Sequence, residues 1–184
     1  GQLVVLAGHC VATFGHWVSV MLSGVILPAD VSLPPDFLGQ LKVLFAHLLS
    51  GWSFALALLS ILLAHEFGHY IAGRRRGVDV TLPFFIPLPF SILGTMGAFI
   101  NMRGIPRNKR ALFDIGVAGP LAGLIVAIPV LLIGLGLSTT GTVLPAEGGF
   151  IEGNSLLYML AKFAVFGQWL PAPAAYAGLS PLAY

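Results

Sequence analysis

The segment from Ser53 to Arg76 constrains this chain more than any other stretch. It runs for twelve residues without a charge, from Ser53 to Ala64, then reads His65-Glu66-Phe67-Gly68-His69, and closes on Arg74-Arg75-Arg76. As a helix of about 3.6 residues per turn, it sets His65 and His69 on one face a turn apart, with Glu66 beside them. Two imidazoles so placed can share one Zn²⁺, and the adjacent carboxylate can take a proton from an attacking water.

Depth gives the motif its weight. His65 and Arg74 are nine residues apart, about 14 Å at a rise of ~1.5 Å, against a bilayer core about 30 Å thick. If the arginines mark the interface, His65 lies near mid-membrane and His69 nearer the arginine side. A bare match to three fixed positions arises by chance in unrelated proteins, and in water its histidines would simply be solvated. Inside a bilayer, ionisable groups are costly and need a partner, which points to a metal site.

The membrane setting follows from composition. Of 184 residues, 57% are hydrophobic and 9% charged, and the mean hydropathy is +0.94. This excludes an ordinary soluble domain and implies an integral membrane protein of several spans, folded as one membrane-embedded domain. A net charge of +2 is too small to suggest nucleic acid. Cys10 is the only cysteine, which excludes an internal disulfide and a cysteine-based zinc site, so any metal is held by His and carboxylate. The chain opens at Gly1 without an initiator Met and ends within an apolar run, and it reads as a fragment lacking sequence at both ends.

The expected architecture is an all-α polytopic bundle with spans at about 3–27, 53–74 and 111–137. Short helices are expected at about 37–50, capped by Asp36, and at about 155–170, capped by Asn154-Ser155 and ended by Pro171 and Pro173. The first of these, with Lys42 inside it, reads as interfacial. His9 and His16, seven apart on the first span, are open to a second metal or proton site or to simple packing. Gly116, Gly119 and Gly123 read as close-packing positions.

Residues 82–100 would pass a hydropathy test for a span, yet Pro83, Pro87 and Pro89 block a continuous helix and Gly94 and Gly97 supply turns. Charge offers an independent test. Seven of the nine basic residues fall in two clusters, Arg74 to Arg76 and Arg103 to Arg110, flanking this segment. The positive-inside rule places both on one side, the cytoplasmic one, so the segment enters and returns as a re-entrant β-hairpin or loop. Asp30, Asp36, Glu147 and Glu152 then lie on the opposite side, the last two in a Gly/Thr-rich loop.

Three strings in order, His65-Glu66-Phe67-Gly68-His69-Tyr70, Gly94-Thr95-Met96-Gly97-Ala98-Phe99-Ile100 and Phe113-Asp114-Ile115-Gly116-Val117-Ala118-Gly119-Pro120-Leu121-Ala122-Gly123, resemble the site-2 protease family of intramembrane zinc metalloproteases. The likeness covers roughly Pro35 to Leu170 and leans to the branch found in bacteria, cyanobacteria and plastids. It implies one Zn²⁺ per chain, peptide-bond hydrolysis within the bilayer, and a substrate that is itself a transmembrane segment. By that resemblance His65 and His69 are metal ligands and Glu66 is the catalytic base. The third ligand, an Asp of an Asp-Gly motif, is expected beyond Tyr184, with Asp114 the substitute to be weighed within this chain.

Gly94, Thr95, Met96 and Gly97 are the candidate substrate-binding residues, on a hairpin that either captures an unwound substrate by strand addition or plugs the bundle. The expected location is a bacterial inner membrane with the basic loops cytoplasmic. Two rival readings remain: a membrane metalloprotease of another His-Glu-x-x-His class, and a non-catalytic metal-binding membrane protein.

Overall fold

The computed structural model describes residues 2–28, 31–141, 155–170 and 176–178. Asp30, Glu147, Glu152 and Asn154 lie outside the described residues, as does the His9 side chain. The chain divides into two units, Gly1–Val126 and Ala127–Tyr184.

In the first unit, helix α1 covers Gln2–Ser23, ending short of the expected Leu27. The physical reason lies in Ser50, whose hydroxyl accepts from the Ile26 N–H at 3.0 Å and donates to the Ile26 carbonyl at 3.1 Å. That exchange satisfies backbone groups a further helical turn would have used. Helix α2 covers Phe37–Ala46, with Asp36 as its N-cap accepting from the Gly39 N–H at 2.7 Å. A 3-10 turn, Leu48–Gly51, then leads into helix α3, Trp52–Arg75. Val20, Ala55 and Leu59 form a buried cluster between α1 and α3, joined by Met21, Phe54, Leu58 and Leu62.

Strands β1, Phe84–Pro87, and β2, Thr95–Phe99, pair antiparallel, with a register irregularity between Ile86 and Pro87. The prolines that forbid a helix therefore sit before, at the end of and beyond β1, where their missing donors cost little. The hairpin is tied to α1 by the Ser19 hydroxyl, which donates to the Gly94 carbonyl at 2.5 Å. Gly94 has φ +69°, and a Cβ there would meet the Ser19 backbone, so turn conformation and close approach both require glycine. At the base the ladder continues: Thr81 N–H donates to the Asn101 carbonyl at 3.0 Å and Arg103 N–H to the Asp79 carbonyl at 2.8 Å. The chain on either side of segment 82–100 is thus joined at its base, residues 79–81 pairing with 101–103.

Helix α4, Lys109–Gly136, begins in this unit and ends in the second. The stretches Leu48–Arg75 and Lys109–Gly136 are long and apolar enough to cross a membrane, and only 22% and 17% of their most apolar windows are buried.

In the second unit, Leu135 and Ala161 are buried with Leu131, Tyr158, Val165 and Phe166 around them. Helix α5, Leu156–Phe166, is capped by Ser155 and stops at Gly167, which adopts φ 67°. The left-handed glycine ends the helix before Leu170, ahead of the prolines expected to do so. Lys162 is buried, its ammonium 4.2 Å from the centre of the Tyr158 ring. Strands β3, Thr139–Gly141, and β4, Tyr176–Gly178, pair antiparallel, the first of them within the stretch expected to be a Gly/Thr-rich loop. Two β-branched threonines favour that extended backbone. The described fold is mostly helical with these small sheets, rather than purely α.

Candidate metal centre

Helix α3 carries the motif in unbroken helical geometry and so sets the two imidazoles together. The Nε2 atoms of His65 and His69 are 3.1 Å apart, and the ring centres 4.8 Å. Two nitrogens bound to one tetrahedral Zn²⁺ at ~2.0–2.1 Å would stand about 3.3 Å apart, so the pair fits a shared ion with little adjustment.

The second constraint comes from α4. His69 Nδ1 lies 2.7 Å from the Ile115 carbonyl oxygen. A carbonyl only accepts, so Nδ1 carries the proton and Nε2 is the nitrogen left to bind an ion. The Ile115 side chain is buried with Val78 and Val80, packed by Tyr70, Ala72 and Ile100, which holds the start of α4 against α3 and the hairpin base. The helices come close at Gly68, where a Cβ would overlap the Ala118 backbone. Gly68 within the motif is thus a crossing point of two backbones.

Glu66 and His69 open into a cavity of about 370 Å³, bordered by Ala98 and Phe99 of β2, Ile100, Met102, and Leu112, Ile115 and Gly116 of α4. The cavity therefore sets the carboxylate and one imidazole beside the end of a strand. Among the described residues nothing pairs with the other edge of β2.

The remaining sequence candidates fall in different places. Gly94 to Gly97 are the turn and start of β2, nearer α1 than the cavity: Thr95 Oγ1 accepts from the Gly97 N–H at 2.8 Å and stands 3.5 Å from His16 Nε2. His16 is buried with its ring against Phe85, centres 5.2 Å apart, as a packing residue between α1 and the hairpin. The Asp114 carboxylate is paired with the Arg76 guanidinium at the end of α3, which engages the substitute ligand elsewhere. Among the described residues no group of three or more His, Cys, Asp or Glu side chains is placed to hold a metal. Sequence reasoning missed Ile115, because its contribution is a backbone carbonyl, and Ala98 and Phe99, which no charge or unusual spacing marks.

Paired imidazoles with a neighbouring carboxylate, opening on a strand-lined cavity, define a site of the His-Glu-x-x-His metallopeptidase class. Within that class the chain belongs to peptidase family M50, whose family model matches residues 53–176, in agreement with the site-2 protease resemblance. It is 39% identical over 139 residues to the probable zinc metalloprotease EGY1, chloroplastic, of Oryza sativa subsp. japonica, an alignment covering 73% of this chain and 23% of the relative. It is 29% identical over 133 residues to the EGY1 of Arabidopsis thaliana, covering 70% and 23%. With the probable zinc metallopeptidase EGY3, chloroplastic, of Arabidopsis thaliana, it shares 27% identity over 154 residues, covering 84% and 23%. The chain spans under a quarter of the length of these relatives. No solved structure matches it significantly.

These relatives overturn the expected bacterial inner membrane, since all are chloroplast proteins by name. The expectation failed for a physical reason: charge asymmetry sorts loops between the two faces of a bilayer but says nothing about which bilayer it is.

Proposed function

We propose that this chain is the zinc-binding core of an intramembrane endopeptidase that cuts transmembrane segments of other proteins, in a plastid membrane. The observation that carries this reading is the cavity shared by Glu66, His69 and the end of β2. It puts a proton acceptor, a metal-binding imidazole and a peptide-binding strand edge around one space. The names of the relatives support zinc as the metal.

His65 and His69 would hold the ion through ring nitrogens, and the Asp expected beyond Tyr184 would complete the protein ligands. Zinc held there would supply Lewis acidity, lowering the pKa of water towards neutrality. Glu66 accepts the proton of the attacking water and passes it to the leaving amine. A helical substrate shields its carbonyls in its own hydrogen bonds, so it must first unwind. The edge of β2 that pairs with no strand among the described residues would offer backbone partners to the unwound segment at its Ala98–Phe99 end and lead it towards Glu66, while the Gly94 carbonyl and the Gly97 N–H are already engaged by Ser19 and Thr95.

Segment 82–100 is re-entrant in this reading, supported by the closed ladder at its base and by a tip that exposes 90% of Phe90 and 93% of Ile92, surface better suited to lipid than to water. The polytopic bundle, with α1, α3 and α4 as spans, belongs to the same proposal.

Two measurements test it. Full-length protein in liposomes should cleave a membrane-embedded reporter at a bond inside its hydrophobic segment, mapped by mass spectrometry. Cleavage confined to residues outside that segment would favour a surface-acting metalloprotease. For topology, single cysteines at Arg75→Cys and Arg107→Cys, with Cys10 replaced, should both be labelled by an impermeant reagent from the same face. Labelling from opposite faces would make 82–100 a span and remove the substrate strand from the scheme.

A further inference from the structure

Gly116, Gly119 and Gly123 on α4 read alike in sequence, yet the last two meet the metal-site helix differently. The space a Cβ on Gly119 would fill is taken by the His69 ring, whose Nε2, Cδ2 and Cε1 atoms are its nearest neighbours. One turn further along, a Cβ on Gly123 would stand 3.4 Å from His65 Cβ and 3.5 Å from His65 Nδ1, an ordinary contact. Helical packing alone therefore explains Gly123 but not Gly119.

Gly119 is also four residues after Ile115, so within α4 its own N–H is directed at the carbonyl that accepts from His69 Nδ1. That oxygen has two lone pairs, one for the helix and one for the imidazole. The ring reaches the second only by lying flat along the helix surface, where any residue but glycine would hold it off.

We propose that Gly119 is a positioning residue for the metal site. Its missing side chain seats the His69 imidazole on α4, so that Nδ1–H is held by Ile115 and Nε2 is the atom offered to the ion. This rests on the zinc-peptidase reading for its purpose but on contacts of this chain for its geometry. Outer partners of ligating histidines typically govern metal affinity by 10–100-fold.

The test compares full-length wild type with Gly119→Ala and Gly123→Ala, both of which make the same change on the same helix. Zinc affinity is read by chelator competition, the visible spectrum of the cobalt-substituted protein reports ligand geometry, and ¹⁵N shifts of labelled histidine in metal-free protein report the tautomer. Gly119→Ala should weaken zinc binding roughly 10–100-fold, alter the cobalt spectrum and remove the Nδ1–H signature of His69. Gly123→Ala should leave all three near wild type.

Equal losses in both variants would return Gly119 to plain packing and overturn the proposal, as would a Gly119→Ala protein with unchanged affinity and spectrum. Should Gly119→Ala fail to fold, the wild-type ¹⁵N shifts still decide: His69 protonated on Nε2 overturns it, and on Nδ1 supports it. A wild type that binds neither metal defeats the peptidase reading, while the tautomer comparison continues to judge the seat of His69 by itself.

Discussion

Full-length protein carrying His65→Ala or His69→Ala should come out of purification without zinc, where wild type holds about one ion per chain. The two imidazoles approach to 3.1 Å, so an ion bound there would be shared, and removing either would leave the site short of the three protein ligands zinc ordinarily keeps. The loss should exceed the roughly 10–100-fold cost of removing an outer hydrogen-bond partner. The variants should also differ from each other. His69→Ala additionally strands the lone pair that Ile115 offers to Nδ1, a lost hydrogen bond of about 1 kcal/mol, so it should unfold at lower denaturant than His65→Ala. Elemental analysis gives the stoichiometry and a denaturation series the order. Undiminished zinc in the double variant would show that the ligands are elsewhere.

What could be read from sequence and what could not divides along the range of the interactions. The pairing of His65 with His69 was legible because it depends on the period of one helix. Asp36 as a cap was legible for the same local reason. The hairpin within 82–100 was legible because Pro83, Pro87 and Pro89 exclude the competing helix and Gly94 supplies a turn.

The rest depends on where elements meet. That α1 stops at Ser23 is decided by a serine hydroxyl 27 residues further along. That Gly68 and Gly119 are contact points depends on the crossing of α3 and α4, which no spacing within either helix encodes. Gly94 to Gly97 stood out for their glycines, whereas the strand residues bordering the cavity, Ala98 and Phe99, are chemically unremarkable and are chosen by position alone. The identity of the membrane was beyond any hydropathy argument, since one bilayer's core looks like another's.

Glu66→Gln should separate binding from chemistry most cleanly. Glu66 follows His65 directly, so it is turned about 100° from the ligand face of the helix, and it lines the cavity with His69. That places it to receive a proton rather than to hold the ion. Glutamine keeps the size of the side chain and its hydrogen-bonding oxygen, but its amide does not accept a proton near neutral pH. A general base contributes roughly 10²–10⁴-fold, so turnover of a membrane-embedded reporter should fall by about a thousandfold, equivalent to ~4 kcal/mol of barrier. Zinc content, measured on the same preparation, should stay at the wild-type value. Substantial turnover in this variant would remove Glu66 from the catalytic role. If the wild type also leaves the reporter intact, a metal-binding membrane protein without peptidase activity becomes the better reading. Zinc lost together with activity would make Glu66 a ligand and require a different base.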